Sequence, residues 1–148
     1  MAYWDTSALL KLYVAEADSP YFLGLAARTA EPVISSAIAT AEVLCVLHRK
    51  EYSRALKPGT AKRVYRKFVS DQNAGRVLMI PFGRDVELEA ERIVRLAYAQ
   101  PQAILVRSLD LIHVSTALSA GATRFVATDA RLRSAAALAG LRLLPEVD

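Results

Sequence analysis

Four carboxylates stand where a folding chain normally places apolar residues or helix caps: Asp5, Glu42, Asp110 and Asp129. Asp5 ends Ala2-Tyr3-Trp4, and Glu42 interrupts the stretch from Ile38 to Leu47. Asp110 lies in Ser108-Leu109-Asp110-Leu111-Ile112, and Asp129 follows Phe125-Val126-Ala127-Thr128. Charges withdrawn from water cost several kcal/mol apiece unless they are paired or bound to a cation. No basic residue stands beside them on these apolar runs as a partner. If the four converge, a divalent cation is the simplest compensation. Mg²⁺ takes oxygen ligands and keeps several waters. Such a site suits hydrolysis of a phosphodiester, because the metal activates a bound water and neutralises phosphate charge. Crowding should also raise one or more of the carboxyl pKa values. A hydroxyl at Thr6, Ser7 or Thr128 could orient that water, or could cap a helix.

The elements that must position these acids alternate between short apolar runs and helical patterns. Strands are expected over Ala2 to Asp5, Pro32 to Ser35, Val77 to Ile80, Arg124 to Thr128 and Leu141 to Leu144. A helix capped by Thr6 or Ser7 follows the first strand, and a second short one covers Pro20 to Ala30. Longer helices are expected over Ala37 to Tyr52 and Thr60 to Gln72, separated by Pro58-Gly59. Others cover Asp85 to Ala99, Ser108 to Ala120 (ended by Gly121) and Ala130 to Ala139 (ended by Gly140). Short apolar strands separated by helices predict an α/β fold with a parallel sheet covered on both faces. The pair from Ala37 to Gln72 has no intervening strand and is expected to project from the sheet as a clip.

In open parallel sheets, ligands bind beyond the carboxyl ends of the strands. Asp5 and Asp129 fall at strand ends, Asp110 in the first turn of a helix, and Glu42 near the second turn of another. All four can therefore face one edge. Taken singly, each aspartate is better explained as a helix cap or a partner of the helix dipole, Asp110 with Ser108 as its cap. Glu42 is different: it lies within a helix whose next basic residue is Arg49. The joint pattern is harder to dismiss than any member.

The 148 residues suit one domain with a real core. The apolar fraction, 53%, slightly exceeds the usual range for soluble domains, and part of the excess is expected to cover a protein partner. A single cysteine, Cys45, excludes an internal disulfide and a thiolate metal cage; its apolar helix pattern places it in the core, and a reducing cytoplasm is the natural compartment. No run approaches the ~20 apolar residues of a membrane span. The net charge of +4 is unevenly spread: nine basic residues from Arg49 to Arg76 face only Glu51 and Asp71. That stretch carries +7 and leaves −3 for the rest. Lys62, Arg63, Arg66 and Lys67 share one helix face opposite Val64, Tyr65, Phe68 and Val69. The stripe suits a phosphate backbone, or is simply a solvated face.

Other phosphate chemistries find no motif. There is no Gly-rich phosphate loop, no second Asp two residues after Asp5, and no nucleophile elbow. Two histidines, His48 and His113, without neighbouring cysteines argue against zinc.

The four acidic segments, in this order, resemble the PIN-domain nucleases, specifically the VapC-type toxins of toxin–antitoxin pairs. Trp4-Asp5-Thr6-Ser7-Ala8-Leu9-Leu10 looks like the first acidic motif of that family, and Ala39-Thr40-Ala41-Glu42-Val43 is similar to the second. Ser108-Leu109-Asp110-Leu111-Ile112-His113 resembles the third, and Val126-Ala127-Thr128-Asp129-Ala130-Arg131-Leu132 the fourth. The resemblance implies a PIN-like three-layer α/β/α sandwich with a central, mostly parallel sheet over residues 1–148; the helical basic arm at about 37–76 has no fixed motif in that family and rests on charge alone. It implies an endoribonuclease with Mg²⁺ or Mn²⁺ at Asp5, Glu42, Asp110 and Asp129, leaving a 5′-phosphate and a 3′-hydroxyl. It further implies a homodimer neutralised by a cognate antitoxin. His113 is similar to a histidine often seen in the third motif, for which core packing or a structural hydrogen bond is the expected role. The competing reading is a catalytically silent module of the same fold that binds RNA or protein through its basic arm.

Overall fold

The computed structural model describes residues 1–146; residues 147 and 148, the end of the expected domain, lie outside the described residues. Five strands form one sheet: β1 (Ala2–Trp4), β2 (Val33–Ser36), β3 (Val77–Ile80), β4 (Arg124–Val126) and β5 (Arg142–Leu144). Their order is β3-β2-β1-β4-β5, and every pairing is parallel. Seven helices connect them: α1 (Thr6–Leu10), α2 (Ser19–Ala27), α3 (Ala39–Tyr52), α4 (Thr60–Asn73), α5 (Arg84–Tyr98), α6 (Ser108–Ser119) and α7 (Ala130–Leu138). No described helix is long and apolar enough to cross a membrane.

The period of two along each strand divides the core into two layers. Ala2, Trp4 and Val126 point to one face and meet Leu9 of α1, Phe22 of α2, Val43 and Leu47 of α3, and Val64 and Phe68 of α4. Tyr3, Ile34 and Phe125 point to the other and meet Ile93 of α5, Val114 and Ala117 of α6, and Leu132 and Ala135 of α7. The result is the expected three-layer sandwich. The α3–α4 pair is anchored in the first layer, while the turn that joins its helices is exposed around Tyr52. Its apolar stripes, Ala39, Val43 and Leu47 on α3 with Ala61, Val64 and Phe68 on α4, are buried in the first layer. Burial of those side chains at about 25 cal/mol per Å² outweighs leaving two amphipathic helices in water.

Two of the expected element ends move for visible reasons. The helix expected from Ala37 begins at Ala39, because the Ala37 N–H is still bonded to the Ile80 carbonyl at 2.8 Å. The helix expected from Pro20 begins at Ser19, which leaves Pro20 in the first turn, where its missing N–H is harmless. Cys45 is exposed instead of buried. The Ala39-Val43-Leu47 stripe faces the sheet at i, i+4 spacing, and Cys45 falls off that face.

The strand order puts the ends of β1 and β4 side by side at the centre of the sheet. From β1 the chain winds outward through β2 to β3, then crosses back to β4 on the other side of β1. This is the topological switch point, where loops leaving adjacent strands diverge and open a crevice. Asp5 directly follows β1, and Asp129 lies three residues past β4.

Candidate functional site

Asp5, Glu42, Asp110 and Asp129 line one cleft of about 410 Å³ together with Thr6, Ser7, His113 and Thr128. Lys11, Glu16, Arg49, Lys50 and Arg107 also line it. The acidic floor therefore lies within a largely basic border.

Each acid is held by a different device. Asp5, 4% exposed, is the N-cap of α1, in place of the expected Thr6 or Ser7. Its Oδ1 accepts from the Ala8 N–H at 2.9 Å and its Oδ2 from the Ser7 hydroxyl at 2.7 Å. Burial raises its pKa, and the Ala8, Ser7 and His113 interactions oppose that shift without cancelling it. No ion pair joins Asp5 to a Lys or Arg among the described residues. The expected raised carboxyl is thus Asp5, with burial as the leading cause.

Glu42, in the first turn of α3, accepts from the Thr6 hydroxyl and lies 2.7 Å from His113 Nε2. Burial works against its ionisation, but the His113 and Thr6 contacts prevail and its pKa is lowered. His113 is 3% exposed, and its other nitrogen, Nδ1, lies 2.6 Å from the Tyr3 hydroxyl. That hydroxyl accepts from the Ser36 N–H at 2.9 Å, and burial raises the Tyr3 pKa so that it keeps its proton. The Tyr3 hydroxyl and the Glu42 carboxylate thus hold the two ring nitrogens of His113 from opposite sides and fix the ring against Glu42. The expected structural hydrogen bond of His113 is this one, and it ends on a cleft carboxylate.

Asp110 and Asp129 are joined by a residue that the sequence reading missed. Arg107 Nε donates to Asp110 Oδ2 at 2.8 Å and Nη2 to Asp110 Oδ1 at 3.3 Å. The same Nη2 lies 3.6 Å from Asp129 Oδ2. The expectation that no basic residue accompanies the acids fails here. Arg107 stands three residues before Asp110, a spacing that brings side chains together on a helix turn. Arg107 also occupies the N-cap position of α6, with no side-chain cap, so the Ser108 cap is not formed. Asp129 caps α7, its Oδ1 accepting from the Arg131 and Leu132 N–H groups at 3.0 Å each. It is also the most open of the four, with its side chain 45% exposed.

Capping and clustering therefore coexist: Asp5 and Asp129 cap helices and also face the cleft. Ser7 links them, since its hydroxyl lies 3.2 Å from that of Thr128. Lys62, Arg63, Arg66 and Lys67 are exposed on α4 but are not among the residues lining this cleft. The cleft cations are instead Lys11, Arg49, Lys50 and Arg107. Lys11 and Lys50 are both tied to Glu16, at 2.7 and 2.9 Å.

The donor set is all oxygen apart from His113, as a hard divalent cation requires. Buried Asp5, without a cationic partner, is the group that such an ion would relieve. Among the described residues no three His, Cys, Asp or Glu side chains already form a ligand shell. Each carboxylate is engaged by the protein donors just named, so loading a metal would exchange those contacts.

Comparison with solved structures places this architecture among known relatives in fold. VapBC2 from Rickettsia felis, bound to a DNA fragment from its promoter, superposes with a TM-score of 0.66 at 19% identity, over 97% of each chain. FitAB bound to an IR36 DNA fragment gives 0.71 at 18% identity, over 97% of this chain and 94% of that one. FitAcB from Neisseria gonorrhoeae gives 0.65 at 19%, over 97% and 96%. No curated protein matches the chain. The PIN domain family matches residues 2–138, nearly the whole length and all four acids. The chain belongs to the PIN domain family.

Proposed function

We propose that this protein is a metal-dependent endoribonuclease and the toxin of a toxin–antitoxin pair. The observation that carries the reading is the meeting of Asp5, Glu42, Asp110 and Asp129 with Thr6, Ser7 and Thr128 in one cleft at the switch point of the sheet. Mg²⁺ or Mn²⁺ bound there would activate water and neutralise phosphate charge. The protein's own work is positional. Ser7 and the Ala8 N–H fix Asp5; Thr6 and His113 fix Glu42; Thr128 offers an exposed hydroxyl for a water beside Asp129. Lys11, Arg49 and Lys50 on the border suit the phosphates flanking the cut, and point charges there favour a polyanion without reading its sequence.

The fold shared with VapBC2 and FitAB supports an antitoxin chain as partner. Exposed Tyr98, Leu105 and Leu109 support a protein contact, with a second copy of this chain as the expected one.

The direct test is incubation of purified protein with RNA in Mg²⁺, with and without EDTA, followed by chemistry of the cut ends. The expected result is metal-dependent cleavage leaving 5′-phosphate and 3′-hydroxyl, lost in Asp110→Asn. Binding of RNA without cleavage, or with cleavage unaffected by EDTA, favours the silent binding module or a contaminant.

A further inference from the structure

Among the described residues, Arg107 is the one Lys or Arg of the cleft that hydrogen-bonds to the acidic floor. Its guanidinium grips Asp110 with two nitrogens and reaches Asp129 with one of them, so a single side chain spans acids from two helices. Contact with Asp110 raises the Arg107 pKa further, so it is never anything but a cation. The side chain is 56% exposed. Arg107 is the exposed member of this part-buried pair, Asp110 being only 12% exposed, so the long guanidinium side chain at the mouth of the cleft has solvent to swing into. Asp5 and Glu42 have no such partner: one is satisfied by a hydroxyl and a backbone N–H, the other by a hydroxyl and an imidazole.

Resting on the metal-dependent reading above, we propose that Arg107 is a two-position residue. In the metal-free protein it is the counter-ion of Asp110 and Asp129, and competes with a divalent cation for them. Once displaced, it grips the RNA phosphate lying over the same acids. The second position follows from the first. A phosphate held at the acidic floor lies next to a guanidinium already hydrogen-bonded to Asp110 and ion-paired with Asp129 at 3.6 Å. The planar fork that fits a carboxylate fits a phosphate equally well. The residue thus opposes metal loading and assists the reaction of the loaded site.

These opposite effects give a signature that a merely structural residue lacks. Mn²⁺ affinity is measured by calorimetry on wild type, Arg107→Gln, Arg107→Lys and Arg49→Gln. Cleavage is then measured at saturating Mn²⁺. Arg107→Gln should bind Mn²⁺ up to about fivefold tighter, the scale of one competing ion pair, and yet cleave RNA at least about tenfold more slowly, with the loss mainly in KM. Arg107→Lys keeps the charge without the fork and should fall between. Arg49→Gln removes a cleft cation that touches no acid and should change Mn²⁺ affinity much less than Arg107→Gln does. Unchanged or weaker Mn²⁺ binding in Arg107→Gln, or unchanged cleavage at saturating metal, overturns the proposal while leaving the nuclease reading standing. Absence of Mn²⁺ binding in wild type itself overturns both. Thermal melting of Arg107→Gln in EDTA checks that the fold survives.

Discussion

Asp5 and Asp71 are both buried aspartates, 4% and 8% exposed, and their electrostatics run in opposite directions. Asp71, near the end of α4, accepts from Lys67 Nζ at 2.5 Å, from Arg76 Nε and Nη2 at 2.8 and 2.6 Å, and from the Tyr13 hydroxyl at 3.0 Å. Burial works against its charge, but these four donors prevail and its pKa is lowered. Asp5 has only Ser7 and the Ala8 N–H as direct donors, and its pKa is raised. Asp71 is a finished structural joint that pins α4 to the approach of β3 and the end of α1. Asp5 is a charge that the fold leaves incompletely compensated, at the edge of a cleft. Asp5 lies deeper in the protein and has fewer, uncharged donors; depth and donor charge together separate the acid available for chemistry from the acid that holds the protein together.

The largest effect expected from this contrast is on Asp5. Asp5→Asn retains an oxygen that can cap α1 but removes the charge. Metal-dependent cleavage should fall by at least about a hundredfold, the scale on which single electrostatic groups at reacting centres act. Stability in EDTA should not fall. Because burial raises the folded pKa of Asp5 above its unfolded value, its ionisation weakens the metal-free fold. That cost is absent below about pH 4 and grows as pH rises through the folded pKa. Urea unfolding should therefore show Asp5→Asn at least as stable as wild type at pH 7, with the difference vanishing toward pH 4. A destabilised Asp5→Asn at neutral pH would make Asp5 a structural residue like Asp71.

The same contrast sets the response to metal. Mn²⁺ at a hundred times its dissociation constant adds about 2.7 kcal/mol to a fold that binds it at one site. Wild type should melt at higher temperature as Mn²⁺ is raised, Asp5→Asn should respond much less, and Asp71→Asn should respond as wild type does from a lower starting point. A lost response in Asp71→Asn would place that aspartate in the metal site and erase the distinction.

Asp71→Ala should cost about 2 kcal/mol, the scale of hydrogen bonds to a charged group. The cost stays below that of a fully buried pair because Lys67 and Arg76 are themselves well exposed and screened. Its pH dependence is the reverse of that at Asp5. With the folded pKa depressed, the stabilisation is complete above about pH 4 and is lost as pH falls through the folded value. Denaturation curves between neutral pH and pH 3 should therefore converge for wild type and Asp71→Ala at the acid end.

The sequence revealed much of this arrangement where one local rule sufficed. Val77 to Ile80 was bounded correctly because Gly75 and Pro81 enclose it, and the alternation of strands and helices required a parallel sheet. The convergence of the four acids followed from their places at strand ends and early helix turns. What stayed hidden depended on partners distant in sequence or on which helix face would be covered. Glu42 is satisfied by His113, 71 positions away, and nothing local announces that pair. The apolar neighbours of Cys45 point to the core, but its helix faces the sheet along Ala39, Val43 and Leu47. Asp71 read only as a minor offset to a basic arm, because its role needs Tyr13 from another element. Arg107 obeys a local rule, standing three residues from Asp110, but lies outside the apolar runs that make the acids conspicuous.

The smallest expected effect concerns which basic surface a bound RNA would follow. The sequence offers the α4 stripe as a phosphate-binding face or a merely solvated one, whereas the cations lining the cleft are Lys11, Arg49, Lys50 and Arg107. Lys67 is already committed to Asp71, and Lys11 and Lys50 to Glu16. Arg49 makes no ion pair among the described residues, so its charge is at the disposal of a ligand. Each phosphate contact to single-stranded nucleic acid contributes about 0.7 to the slope of log affinity against log salt. Arg49→Gln should therefore lower that slope by about 0.7, as read by fluorescence anisotropy of a labelled single-stranded RNA in EDTA, where no cutting occurs. Arg66→Gln on α4 should leave it unchanged. The reverse outcome would route the RNA along α4 and reduce the cleft border to a local counter-charge for Glu16 and the acids. Because both substitutions remove one exposed positive charge from the same molecule, a difference between them reports the path of the strand rather than the overall charge.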